Sequence, residues 1–204
     1  GLTLFVTLAL TDQTMSRELR SGIPEKAPAF FFLDVRNPEL PAFKEALLKQ
    51  DGVTGVNSSP MMRGRMVKIK GIEVAKVSAA PDSRWATQGD RGLTYADTLP
   101  EGSQLVAGEW WPANYEGPPL VSLVDEIAEG LDIKIGDEIS VNVLGREISA
   151  KVANLRQVNW RSLGINFVMV FSPNTLKSAP HSHIVTVEMN GGDEAKLLNE
   201  ISGA

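Results

Sequence analysis

The sequence has no cysteine and only two histidines among its 204 residues. The first absence removes disulfides, thiol nucleophiles and thiolate metal sites, and leaves the redox compartment open. The second leaves little material for general-base catalysis. His181 and His183 sit two residues apart, on one face of an extended segment. Two imidazoles without a third ligand do not make a zinc centre, so they are read as a polar strand edge. Also missing are a G-x-S-x-G elbow, a P-loop and a G-x-G-x-x-G turn, which removes the usual supports for serine hydrolysis, nucleotide hydrolysis and dinucleotide binding. The chain is therefore expected to be non-catalytic, with no metal and no cofactor. Nor is there an excess of positive charge: 20 Lys and Arg face 25 Asp and Glu, a net charge of -5. Nucleic acid is excluded as a main partner, because phosphate binding needs a concentrated basic surface.

What is present is a globular composition, 43% hydrophobic and 22% charged with 18 Gly and 12 Pro, long enough for one large domain or two small ones. Gly1 to Leu10 (GLTLFVTLAL) is uncharged and almost wholly apolar, half of the roughly 20 residues a spanning helix needs. It reads either as a buried first element or as the outer end of a transmembrane helix. The abrupt polar turn at Thr11, Asp12 and Gln13 favours the second.

Ala29 to Val35 (AFFFLDV) is an apolar run of strand length, expected to be a central strand. Asn37 and Pro38 follow as helix cap and first-turn residue; Leu40, Phe43 and Leu47 recur at helical spacing until Asp51-Gly52, and Val53 to Met62 is extended again. Arg63 and Arg65 share parity with Val67 and Ile69, which should face the core. One strand cannot put both sets on one face, so a turn or bulge is placed at Gly64. Ile72 to Pro119 is rich in Gly and Pro, with a short strand near Gln104 to Ala107. Leu123, Ile127, Ala128 and Leu131 mark a short helix. Period-two alternation from Ile133 to Val152, broken at Gly136-Asp137 and Gly145, predicts a β-meander. Val185, Val187 and Met189 alternate before Gly191-Gly192 and a helix carrying Leu197, Leu198 and Ile201. This second strand–helix unit has no closing strand, which reads as the mark of a fragment. The expected fold is α+β. An interrupted ferredoxin-like sandwich (24–71 plus 156–204) carries a β-rich insert (72–155) and is preceded by a membrane-derived segment (1–23).

Three clusters are candidate contacts for a partner or substrate. Met61, Met62, Arg63 and Arg65 combine adaptable apolar side chains with cations able to hold a carboxylate or acidic headgroup. Methionine fills cores so often that the structural reading takes precedence. Trp110 and Trp111 are adjacent, so an extended backbone would point one inward and one outward, the outer one forming a platform with Tyr115. Trp160 and Arg161 carry the same ambiguity.

The stretches PEKAPAFFFLDV (Pro24 to Val35), SPMMRGRMVKIKG (Ser59 to Gly71), GDRGLTYADTLP (Gly89 to Pro100), GEWW (Gly108 to Trp111), IAEGLDIKIGDEISVNVLGREISAKVANLRQVNW (Ile127 to Trp160) and GINFVMVFSP (Gly164 to Pro173) resemble the extracytoplasmic part of ABC-transporter permeases of the FtsX-like and MacB-type superfamily, in its YbbP-like branch. The resemblance implies a membrane-near α+β part with a β-rich part projecting from it, in a permease of the bacterial inner membrane, this domain facing the periplasm. It also implies a separate cytoplasmic ATPase subunit, a second permease half or copy, and a periplasmic partner such as an acyl esterase. The expected role is coupling ATP hydrolysis to the handling or export of a hydrophobic substrate. The alternative is a stand-alone carrier of lipid or another ligand, which would need a deep apolar pocket.

Overall fold

In a computed structural model, the structure describes residues 30–160 and 166–190, together with residues 197 and 199. The apolar start at 1–10, the connecting segment to residue 23 and Arg161 lie outside the described residues. Among the described residues, no helix is long and apolar enough to cross a membrane. Ten strands are described: β1 (Phe30–Arg36), β2 (Val53–Ile69), β3 (Ile72–Glu73), β4 (Arg91–Tyr95), β5 (Ser103–Gly108), β6 (Leu120–Val124), β7 (Glu138–Val143), β8 (Arg146–Val158), β9 (Met169–Phe171) and β10 (Ser182–Met189). Helices α1 (Leu40–Leu48), α2 (Asp125–Gly130) and α3 (Pro173–Leu176) lie between them, with short 3-10 turns at Val74–Lys76 and Arg84–Thr87.

The first and last strands build a small α+β layer. β10 lies between β1 and β2 and is antiparallel to both. β1 and β2 are therefore parallel, joined by α1 across β10, which is the split βαβ arrangement of a ferredoxin-like half. α1 packs Leu47 against Val185, Val187 and Leu197, with Phe32, Val35, Phe43 and Val56 around them. The AFFFLDV run is not central: among the described residues β1 pairs with β10 alone, a bulge interrupts it between Phe32 and Val35, and Leu33 is 62% exposed. Phe32 meets Phe43 edge-on at 5.1 Å.

The larger part is a ring of strands. β2 pairs with β4, β4 with β9, β9 with β6, β6 with β8, β8 with β7, and β7 again with β2. The expected meander is thus only its β7–β8 hairpin, turning at Leu144 and Gly145, which both take positive φ. Parallel pairing of β8 with β6 and the return of β7 to β2 close that hairpin into a barrel, with β5 paired to β8 outside the ring. Ile133 and Ile135 precede it in a turn, not a strand. There Asp137 accepts the Lys134 amide at 2.7 Å through Oδ2, and Gly136 donates to the Val152 carbonyl at 2.8 Å. Leu123 lies in β6, which ends at Val124, instead of starting a helix, and the helix begins at Asp125. Leu123, Ile127, Leu131, Ile139, Val141, Val143 and Val152 fill one core with Met66, Leu93, Met169 and Phe171, and Ile148 packs against it.

The parity break in β2 is real but lies later than Gly64. Met62, Gly64 and Met66 face inward, the register shifts between Met66 and Lys68, and Ile69 is then buried. Gly64 continues the strand because β4 and β7 both meet it there; an added Cβ would stand 2.7 Å from Leu93 Cδ1 and 2.8 Å from the Asn142 carbonyl. The expected crossing at residue 155–156 falls inside the unbroken β8, and β9 with α3 packs into the larger core. The two cores are instead joined through β2 and through the approach to β10 at Pro180–Ser182.

Candidate functional site

Where the cores meet, five polar side chains converge. β2 changes neighbour here: Met61 pairs with Ser182 on β10, whereas Met62 pairs with Leu93 on β4. Thr94 on β4 donates to the Pro60 carbonyl at 2.5 Å. Tyr95 OH lies 3.2 Å from His181 Nε2, and His181 Nδ1 lies 2.7 Å from the Ala179 carbonyl. A carbonyl can only accept, so Nδ1 carries a proton, and in the neutral ring Nε2 accepts from Tyr95. The Asn37 amide links the histidines: its Nδ2 lies 3.5 Å from His181 Nε2, and its Oδ1 accepts from His183 Nε2. Asn37 is free to do so because α1 starts at Leu40 with Glu39 at its cap, later than the sequence suggested. The two imidazoles stand 5.3 Å apart, on one side of the chain as their spacing requires. Burial, then His181, then Lys44 hold His183 below the usual histidine range, and burial followed by Asp97 raises Tyr95.

This arrangement does not assemble a nucleophile and base. Ser182, the hydroxyl next to both histidines, donates to Asp34 at 3.2 Å and not to an imidazole. Among the described residues no group of three or more His, Asp or Glu is placed to hold a metal. The neighbouring cleft, about 350 Å³, is lined by Asp34, Met61, Met62, Arg63, Leu144 and His181, among others. Met62 is buried in the larger core, and Met61 packs partly buried beside Trp111 and Phe167. Arg63 and Arg65 point to solvent, Arg65 lying 3.6 Å from Asp90.

Trp110 and Trp111 do not alternate. Gly108 ends β5 with φ +75°, so the pleat that would send them to opposite sides stops before they are reached. Their rings lie together, centroids 4.1 Å apart. Each indole is anchored, Trp110 to the Asp97 carbonyl at 2.9 Å and Trp111 to the Ala96 carbonyl at 2.8 Å. Tyr115 donates to the Pro118 carbonyl at 2.7 Å. With Phe167 and Val170 they form a third apolar cluster, in which Trp111 is buried and Trp110 and Tyr115 are partly buried. Trp160, by contrast, is 45% exposed and meets the 38% exposed Trp85 edge-on at 6.4 Å. Sequence reading missed Trp85, Tyr95 and Asn37, all in loop-like or short segments where periodicity gives no signal.

Fold and site together define an α+β domain of two cores strung on one long strand, whose polar junction is built for bracing. The comparisons place it beside transporters. The ABC-transporter permease YbbP of Escherichia coli (strain K12) is 26% identical over 190 residues, 93% of this chain. The chain spans 22% of the length of that relative. The resemblance to ABC-transporter permeases read from the sequence therefore holds. No family model matches the chain. Among solved structures, a permease-protein domain from Porphyromonas gingivalis aligns with TM-score 0.44 at 13% identity, covering 83% of this chain and 69% of that one. The periplasmic region of MacB from Actinobacillus actinomycetemcomitans aligns with TM-score 0.42 at 10% identity, covering 84% and 76%. Superpositions this loose leave fold and function to be argued from the chain itself.

Proposed function

We propose that this chain is the periplasmic domain of an ABC-transporter permease in the bacterial inner membrane, a non-catalytic module that couples ATP hydrolysis on a cytoplasmic ATPase subunit to the handling or export of a hydrophobic substrate. The observation that carries the reading is similarity to a permease along 93% of the chain. It is supported by the two separate cores, which suit a module that relays motion from one end to the other. In this reading the α+β layer lies next to the membrane and the barrel projects outward. The exposed Arg63 and Arg65 are contacts for a second permease half or copy, or for a periplasmic partner such as an acyl esterase. A stand-alone carrier would need an enclosed apolar chamber, and the described clefts open to solvent.

The test uses the full-length permease with its ATPase in nanodiscs. Spin labels go at Leu48→Cys on α1 and Gln104→Cys on β5, both exposed and at opposite ends of the sheet. The expected result is co-purification of the ATPase and an ATP-dependent change in the distance distribution. Identical distributions with and without ATP would remove the coupling role.

A further inference from the structure

Trp85 and Trp160 are large apolar side chains that the fold leaves partly exposed. In edge-on contact with each other, both line a cleft of about 630 Å³ between the Ala80–Trp85 loop and α2, lined also by Asp82, Glu126 and Glu129. The volume is that of an ordinary small-molecule site. The scaffold is fixed. Ala80 donates its amide to the Gly130 carbonyl at 2.9 Å, and the buried Ser83 donates to the Glu126 carbonyl at 3.3 Å. The approach is so close that a Cβ on Gly130 would stand 1.9 Å from Ser83 Oγ.

The charge is one-sided. Three carboxylates line the cleft and no lysine or arginine is among its described lining residues. Of the nearby cations, Arg84 lines a different cleft with Val74 and Gln88, and Arg91, which stands against the Trp85 ring, has its guanidinium bonded to the Trp85 and Gln88 carbonyls. Arg91 also shows what the Trp85 ring accepts, its guanidinium carbon standing 5.0 Å from the ring centroid. An indole attracts cations through its negative face, most strongly where water is partly excluded. A neutral apolar ligand would gain from the tryptophans but nothing from the carboxylates, and an anion would be repelled.

We propose that this cleft binds a small organic cation, an ammonium group carried on an aromatic or alkyl body, with Trp85 and Trp160 contacting the body and the ammonium methyls. Asp82, Glu126 and Glu129 supply the counter-charge. The inference does not depend on the permease reading.

Titration of the 204-residue chain with benzyltrimethylammonium, followed by indole shifts in NMR, tests it. Saturable binding is expected, shifting the Trp85 and Trp160 indole signals but not those of Trp110 and Trp111. The double variant E126Q/E129Q should weaken it by about tenfold, and raised salt should weaken it too. Trp160→Leu should reduce it comparably, with unchanged backbone spectra showing that the fold persists. Uncharged benzyl alcohol should bind at least about tenfold more weakly. Equal binding of benzyl alcohol, insensitivity to E126Q/E129Q, or shifts confined to Trp110 and Trp111 would each overturn the proposal. So would a lysine-rich peptide that saturates the same signals while benzyltrimethylammonium does not.

Discussion

Arg156 is the largest fully buried side chain and is 1% exposed. No carboxylate pairs with it among the described ion pairs; its guanidinium lies within hydrogen-bonding distance of the Ser122, Val168 and Phe167 carbonyls. Burial pulls its pKa down to about 10, which still leaves it charged at neutral pH. Removing it relieves a desolvation cost but orphans acceptors. Val168 keeps the Val124 amide as donor at 3.2 Å, so the loss falls mainly on Phe167. Arg156→Met should therefore cost about 2 kcal/mol in urea unfolding, the penalty of one or two unpaired buried carbonyls less the recovered desolvation. His183 makes a second prediction. Its folded pKa lies below its unfolded value, so on acidification the unfolded chain takes up the proton first. Its contribution is fully present above the unfolded pKa and is lost as pH falls through that value towards the folded one. The groups facing it are His181, Lys44 and Asn37, with Tyr95 behind His181. The drop in unfolding midpoint between about pH 7.5 and about pH 5.5 should be smaller in His183→Gln than in wild type. An unchanged drop would assign the acid sensitivity to other groups.

At the scale of elements, β2 shows what patterning can and cannot reveal. Val53 to Met62 was legible as extended and the residues after it as holding a parity fault, because Arg63, Arg65, Val67 and Ile69 cannot share one face, but not as one strand of seventeen residues. The position of the fault was not legible, since it depends on which strands lie alongside. Gly64 looked like a turn residue, yet it is where two partners converge on one strand. Gly64→Ala should cost about 2 kcal/mol through overpacking, because backbone as well as side chain stands in the way. Gly92→Ala is the control. Its Cβ would meet Phe167 at 3.4 Å, an ordinary contact, so its midpoint in denaturant should stay near wild type. The same dependence on neighbours explains the other differences. AFFFLDV gave the strand but not its place beside β10 at the end of the described strand order, and the alternation in residues 138–152 gave the β7–β8 hairpin but not its closure through β2 and β6. The aromatic candidates divided by backbone context, which composition does not carry: Trp110 and Trp111 follow a positive-φ glycine and stack, whereas Trp160 lies beyond the end of β8 and stays in water.

For the whole molecule the decisive fact is that two cores share no buried residue yet share a strand. A continuous strand resists bending where both its edges are paired. Around Met61 and Met62 each residue of β2 has one described strand partner, β10 for the first and β4 for the second. Pro60, just before them, has no amide hydrogen to donate. That short stretch is the natural axis for rotation, and the bonds spanning it decide how freely it turns. Thr94 to the Pro60 carbonyl and Tyr95 to His181 are the two described side-chain bonds from β4 across it. The first reaches only the backbone of β2, while the second ties the barrel to the residue that leads into β10, the strand between β1 and β2. Tyr95→Phe keeps the ring, and with it the edge-on contact to His181 at 5.4 Å, but removes the hydroxyl. With spin labels at Leu48 and Gln104, the variant should give a broader distance distribution than wild type. Its thermal midpoint should fall only by the worth of one part-buried hydrogen bond, about 1 kcal/mol. If the distribution keeps its width while the midpoint falls, the bond stabilises the junction without restraining it, and motion between the cores must be limited by β2 itself.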